Sequence, residues 1–108
     1  MKNYEYAEDL DLLYINNIQN EKEKVIGTIN LGNIIFDIGE GGKILGVEID
    51  CASRFLRMSP SQIINLKTAK IDIIKVGNAL AIGILLATEQ QKFSVQYVLE
   101  KEKMINYC

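Results

Sequence analysis

Three carboxylates lie on or beside predicted strands, where they could act together: Asp11, Asp37 and Glu48. Catalysis by a pair of carboxylates needs both groups in one pocket, with the pKa of at least one raised. The spacing places Asp37 and Glu48 on facing strands of one hairpin, both opposite its apolar side. Three interpretations stay open: a solvated face, a cation site, or general acid–base catalysis. We assign no catalytic residue, metal ligand or cofactor, and carry the three carboxylates forward as candidates.

A glycine-rich segment from Gly39 to Gly46 contains the dipeptide Gly42-Lys43, which invites comparison with a phosphate-binding loop. Such a loop needs serine or threonine directly after the lysine and then a helix, whose N-terminus faces the phosphate. Here Ile44 follows Lys43, and both flanks have the pattern of strands. The segment therefore predicts the connection of a β-hairpin, where glycine supplies the positive φ of a tight turn.

The chain has two cysteines, Cys51 and Cys108, and no histidine. Two thiols are too few for a disulfide framework, and nothing indicates export, so a reducing cytoplasm is expected. Cys51 near Ser53 could suggest a nucleophile, but the usual activating base is missing and a lysine would have to replace it. A half-buried structural cysteine is the better interpretation.

Short or alternating apolar runs predict most of the fold. In the first half they predict strands over 12–16, 25–30, 34–38 and 45–49, with a turn at Gly32-Asn33. Helical signals are confined to residues 52–67. Ser53 could cap a short turn through Leu56. Ser59-Pro60 with Gln62 has the spacing of a capping box with proline at the first helical position.

In the second half, strands are predicted over 70–76, 79–87 and 93–99, with Gly77-Asn78 as a hairpin turn. The strand from Ala79 to Ala87 is apolar on both faces, which is typical of a central strand covered on both sides. Either the two groups of strands pack on each other or a second subunit supplies the cover. The larger side chains of one face are the candidates for a core or an interface: Leu80, Ile82, Ile84 and Leu86. The fold class expected is α+β, predominantly antiparallel β, with two groups of antiparallel strands joined by a short helical segment.

Composition bounds the class of protein. With 108 residues, 48% of them hydrophobic and one proline, the chain is expected to form a single domain over 1–108, with strands over 68–101 after a helix within 57–67. The longest uncharged run has 13 residues, too few for a membrane span, and the acidic start lacks the features of a signal peptide. Basic side chains are scattered, so no nucleic-acid partner is expected, and the expected location is cytoplasmic.

The N-terminal half resembles a known family in its order of motifs. Leu13-Tyr14-Ile15 is followed at the expected distance by Gly46-Val47-Glu48-Ile49 and then by Ala52-Ser53. Together with Tyr6 and Asp11, this order is similar to the small prokaryotic family catalogued as domain of unknown function 2283, over about residues 4–56. Ala7-Glu8 and the glycine-rich turn depart from the family pattern. The resemblance implies no established activity; it allows an antitoxin-like or accessory role beside a small protein.

Two classes of function follow. The favoured hypothesis is a non-enzymatic β-rich interaction protein that forms a homodimer or higher homo-oligomer and binds a small protein partner. Its basis is the lack of catalytic machinery together with excess apolar strand surface. The competing hypothesis is a small hydrolase or isomerase built on Asp11, Asp37 and Glu48, which requires the three carboxylates to converge in a pocket.

Overall fold

The computed structural model describes residues 3–77 and 79–100 of the chain. Its elements, in chain order, are β1 (Tyr4–Ala7), β2 (Leu12–Asn16), β3 (Val25–Leu31), β4 (Ile34–Gly39), β5 (Ile44–Ile49), α1 (Ala52–Leu56), α2 (Pro60–Ile64), β6 (Thr68–Val76), β7 (Ala79–Ala87) and β8 (Lys92–Glu100), with a 3-10 turn at Glu40–Gly42 between β4 and β5. The predicted fold class, mostly antiparallel β with short helices, is confirmed.

The first five strands form one antiparallel sheet in the order β1-β2-β5-β4-β3, which we call the N-terminal sheet. The hairpin predicted around the glycine-rich segment is the pair β4–β5, and Gly41 and Gly42 have φ values of 78° and 81° in its turn. Positive φ is costly for other residues, which explains glycine at both positions. β1 was not predicted as a strand. It has four residues, too few to show an alternation.

The last three strands form a second antiparallel sheet, the C-terminal sheet, in the order β6-β7-β8. The prediction that β7 is central is confirmed, because it pairs along its whole length with both neighbours. Gly77 has the positive φ of a turn residue, at 59°, whereas Asn78, the other half of the predicted turn, lies outside the described residues.

Two short helices connect the sheets. α2 has the predicted capping box: the Gln62 amide donates to Ser59 Oγ at 3.2 Å, and the Ser59 amide donates to Gln62 Oε1 at 2.8 Å. The prediction that Ser53 caps α1 is wrong. The N-cap of α1 is Cys51, two residues earlier than predicted, and the Ser53 hydroxyl donates to Asp11 instead.

The two sheets and the helices share one hydrophobic core. Its buried side chains include Phe36 and Ile15 from the N-terminal sheet, Ile63 from α2, and Ile82 and Ile84 from β7. Of the two alternatives, the strand groups therefore pack on each other. Ile82, Ile84 and Leu86, predicted as core or interface, fill this core; the side chain of Leu80 lies outside the described ones.

The expected cover on both faces of β7 is present on one face only. Its other face carries Leu85, which is 45% exposed, and Ala81 and Gly83, which are only partly buried. The chain has no element left among those described to pack there, because the helices cover the opposite side.

Candidate functional site

Tyr14 of β2 and Asp37 of β4 meet on the outer face of the N-terminal sheet, the face away from the core. Tyr14 lies opposite Glu48 on the intervening strand β5, and Asp37 lies opposite Gly46. The Tyr14 hydroxyl donates to Asp37 Oδ2 at 2.7 Å. A Cβ atom at Gly46 would lie 2.1 Å from that hydroxyl oxygen. Glycine at position 46 is therefore required for the phenol ring to cross β5 and link β2 to β4.

The surroundings of Tyr14 keep its phenol protonated. Burial, the hydrogen bond to Asp37, and the negative charges of Asp37, Glu48 and Glu5 raise the pKa of Tyr14 to about 12. An acid or base used in catalysis is most effective when its pKa lies near the working pH. Tyr14 therefore stays protonated at neutral pH and acts as a hydrogen-bond donor that links β2 to β4.

The raised pKa values predict a specific alkaline transition. Tyr6, next to Asp11, also has its pKa raised to about 12, first by burial and then by Asp11. Between pH 10 and 12 the folded chain binds these protons and the unfolded chain does not, so stability present below about pH 10 is lost as the pH rises to about 12. Thermal melts over this range should show a falling midpoint. Tyr14→Phe should flatten the fall, and an unchanged slope in that variant would contradict the assignment.

Asp11 lies in the turn between β1 and β2 and links this turn to α1. Its Oδ1 accepts from the Tyr6 hydroxyl at 2.5 Å and from the Ser53 amide at 3.0 Å, and its Oδ2 accepts from the Ser53 hydroxyl at 2.7 Å. Burial alone raises the pKa of Asp11, but these hydrogen bonds and the charge of Arg54 outweigh burial and lower it. Asp11 has a φ of 50°, a left-handed conformation that aspartate tolerates better than most residues.

The three carboxylates do not converge. Tyr6 pairs with the buried Leu13 and shares its face, so the Asp11 cluster lies on the core side of the sheet. Asp37 and Glu48 lie on the outer face. Neither of the two described cavities, which lie at the glycine-rich turn and at the end of β7, is lined by any of the three. The structure brings Asp37 and Glu48 to one face, where the Tyr14 side chain reaches from β2 to Asp37 on β4. Asp11 lies apart from them.

Cys51 and the glycine-rich segment, the remaining candidates from the sequence, have structural roles. Cys51 is half-buried directly before α1 and is not a free thiol, which removes it as a nucleophile. The Gly39–Gly46 segment includes the turn that connects β4 to β5, as predicted, and the element directly after Lys43 is the strand β5 and not a helix. Over residues 3–77 and 79–100, no group of three or more cysteine, aspartate or glutamate side chains could hold a metal ion. In the same part of the chain, no helix is long and apolar enough to cross a membrane.

A cavity of about 420 Å³ lies between the β2–β3 connection and the glycine-rich turn. Lys43 forms an ion pair with Glu23 at its edge. The Glu23 carboxylate also accepts from the backbone amides of Gln19 and Asn20, at 2.6 and 3.1 Å. The hydrogen bond from Lys43 lowers the pKa of Glu23. These contacts fix the connection that leads into β3.

Two exposed apolar surfaces distinguish this molecule. The first is the outer face of the C-terminal sheet, the side away from the core, where Ile74, Leu85 and Val98 are 57%, 45% and 61% exposed. The second is β3, an edge strand of seven residues without a charge, where Val25 and Ile29 are each 44% exposed and Ile26 is 70% exposed. The β3 surface cannot be predicted from the sequence alone, since only the strand order shows which strand forms an edge.

Residues 3–53 match the model of a family described as protein of unknown function (DUF2283). The match covers the N-terminal half of the chain and the whole of the N-terminal sheet, as the resemblance in the sequence indicated. Neither a curated protein nor a solved structure is significantly similar to the chain.

Proposed function

We propose, from the premise that residues 3–53 match the model of that family of unknown function, that the protein is a non-enzymatic interaction module that self-associates. The family description carries no activity, so the proposal depends on the geometry. Asp11 supports a turn, and Tyr14 with Asp37 links two strands. These roles account for the strongest candidate side chains without a substrate.

The observation that carries the proposal is the uncovered outer face of the C-terminal sheet. Ile74, Ala81 and Val98 lie directly opposite one another across the three strands and form an apolar row. Leu85 extends this row along β7, and Gly83 lies between Ala81 and Leu85 on the same face. Small residues in a central strand admit close approach of a second layer, and two sheets pack face to face at about 10 Å.

The energetics favour covering this face. Fully burying an isoleucine, leucine or valine stabilises by about 1.5–3 kcal/mol, and three such side chains are roughly half exposed here. Lys70 and Asp72 lie on the same face of β6, two residues apart and both exposed. A two-fold related copy places the lysine of one chain near the aspartate of the other, which is the complementarity that a symmetric contact requires.

Light scattering coupled to size-exclusion chromatography tests the proposal. At tens of micromolar we expect an average mass above the 12.2 kDa of one chain. Ile74→Lys should lower that mass at the same concentration, because it places a charge in the apolar row. Ile64→Lys, at a 43% exposed position on α2, is the matched control and should leave the mass unchanged. A 12.2 kDa species at every concentration would exclude self-association.

A small protein partner could cover the same face, and the experiment distinguishes the two occupants. If the chain alone is monomeric but the outer face of the C-terminal sheet is required for capture of a second protein, the interaction class holds and self-association does not.

A further inference from the structure

β3 and β1 are the two edge strands of the N-terminal sheet, and β3 is the longer and more exposed of them. At the opposite edge, β1 has four residues, and the Asn3 side chain before it donates to the Ala69 carbonyl of β6 at 2.6 Å. β3 has seven residues, all exposed except Leu31, which is half-buried. Natural edge strands are usually short, charged or covered, because an open edge pairs with other strands. β3 has none of these protections over residues 27–31, where its pairing with β4 is regular.

The hydrogen-bonding direction of this edge can be deduced from the ladder. The Asp50 amide donates to the Asn33 carbonyl at 2.8 Å. Asn33 directly precedes β4, so the odd-numbered residues of β4 also point their backbone amides and carbonyls toward β5. Ile34 and Phe36 therefore bond to β3, through Leu31 and Ile29. It follows that the amides and carbonyls of Thr28 and Asn30 point away from the sheet, toward solvent.

We infer that β3 pairs with β3 of a second copy, antiparallel and two-fold symmetric about Ile29, so that the two N-terminal sheets become one continuous sheet. In this register Thr28 and Asn30 exchange backbone hydrogen bonds with Asn30 and Thr28 of the second copy. The bulge between Val25 and Gly27 falls outside the paired segment, which uses only the regular residues 27–31. The pairing rests on the self-association proposed above and assigns it a second surface.

The side chains are self-complementary in this register. Ile29, 44% exposed, meets Ile29 of the second copy at a non-hydrogen-bonded position, where facing side chains are closest. Gly27 faces Leu31 of the second copy. A Cβ at Gly27 would meet nothing within 4 Å, so the leucine has open space to enter. Both pairs continue the apolar inner face of the sheet across the junction.

The charges at the two ends of the strand also favour a second copy over a parallel or shifted partner. Lys24 precedes β3 and is exposed. Beyond the paired segment, the residues before Gly27 lead toward the turn after Leu31 of the second copy, where the Asn33 side chain is bonded to the Asp50 carbonyl. Lys24 of each chain is thereby brought to the end of the other chain where the exposed Asp50 lies. Opposite charges meet twice by symmetry.

A charge-mixing experiment tests the register directly, because a residue on the two-fold axis faces itself. Working in the Ile74→Lys background removes the contribution of the C-terminal sheet, and the parent should form a species of twice 12.2 kDa. Ile29→Lys and Ile29→Glu should each associate about tenfold more weakly, since like charges then oppose each other. An equimolar mixture of the two variants should recover the dimer. Equal association of either variant and the parent, or no recovery on mixing, would overturn the pairing.

Hydrogen exchange supplies a readout that needs no variant. The amides of Thr28 and Asn30 should become more protected as the protein concentration rises, whereas those of Gly27 and Ile29 should stay protected at all concentrations. Exchange at Thr28 and Asn30 that is independent of concentration would overturn the pairing. Failure of the Ile74→Lys prediction leaves these outcomes unchanged, so the two proposals fail separately.

Discussion

Ile82→Asp is expected to leave the protein unfolded or insoluble. Ile82 is 1% exposed at the centre of β7, paired on both sides and packed in the core shared by the two sheets. Aspartate there would remove the packing of a large side chain and bury a carboxylate without a partner. The combined loss is several kcal/mol, against a total stability of about 5–15 kcal/mol for a typical domain.

Two variants in the same sheet separate burial from the chemistry of the substitution. Leu85→Asp lies three residues away on the opposite face of β7, at a 45% exposed position, and should fold while associating less. Gln96→Asp, exposed on β8, should be nearly neutral. Thermal melts and the soluble fraction of each variant are the measurements. Equal midpoints for the Ile82 and Gln96 variants would show that β7 is not a core strand.

Most of the fold could be predicted from the sequence because its signals are local. The alternation in β5 follows from a buried face with Leu45, Val47 and Ile49 and an opposite face that carries the half-buried Glu48. The capping box of α2 needs only Ser59 and Gln62 in register. β7 was predicted over its full observed range, since an uncharged run between a turn and a polar segment has clear limits. Here local pattern and tertiary position agree.

The candidate site could not be predicted because its contacts are not local. Asp37 and Glu48 were rightly placed on one face of a hairpin, but the hydrogen bond to Tyr14 depends on β2 lying beside β5, a crossover that periodicity does not show. Gly46 had the appearance of an ordinary strand glycine. Its requirement arises only when the ring from the neighbouring strand passes over it. That one face of β7 is left uncovered likewise depends on how the two sheets and two helices are arranged.

Gly46→Ala is expected to destabilise the chain by about 1–3 kcal/mol, the usual cost of overpacking. The new Cβ would lie 2.1 Å from the Tyr14 hydroxyl oxygen and 2.7 Å from the ring carbon that bears it. Either the ring swings away and its hydrogen bond to Asp37 is lost, or β5 shifts. In a domain of about 100 residues, each kcal/mol lowers the melting midpoint by about 4–8 °C.

A double-mutant cycle shows whether Tyr14 is the cause. In a Tyr14→Ala background, Gly46→Ala should cost little, because the obstructing ring is gone. Gly83→Ala is the matched strand glycine: its nearest contacts would lie at 3.7 Å, an ordinary packing distance, so it should be tolerated in both backgrounds. Titration of tyrosine absorbance in the Gly46→Ala variant gives a second readout. The pKa of Tyr14 should fall from about 12 toward its ordinary value of 10.0 once the displaced ring loses its burial and its hydrogen bond to Asp37. The same cost for Gly46→Ala with and without the Tyr14 ring would refute the link, and would place the strain in the backbone of β5 instead.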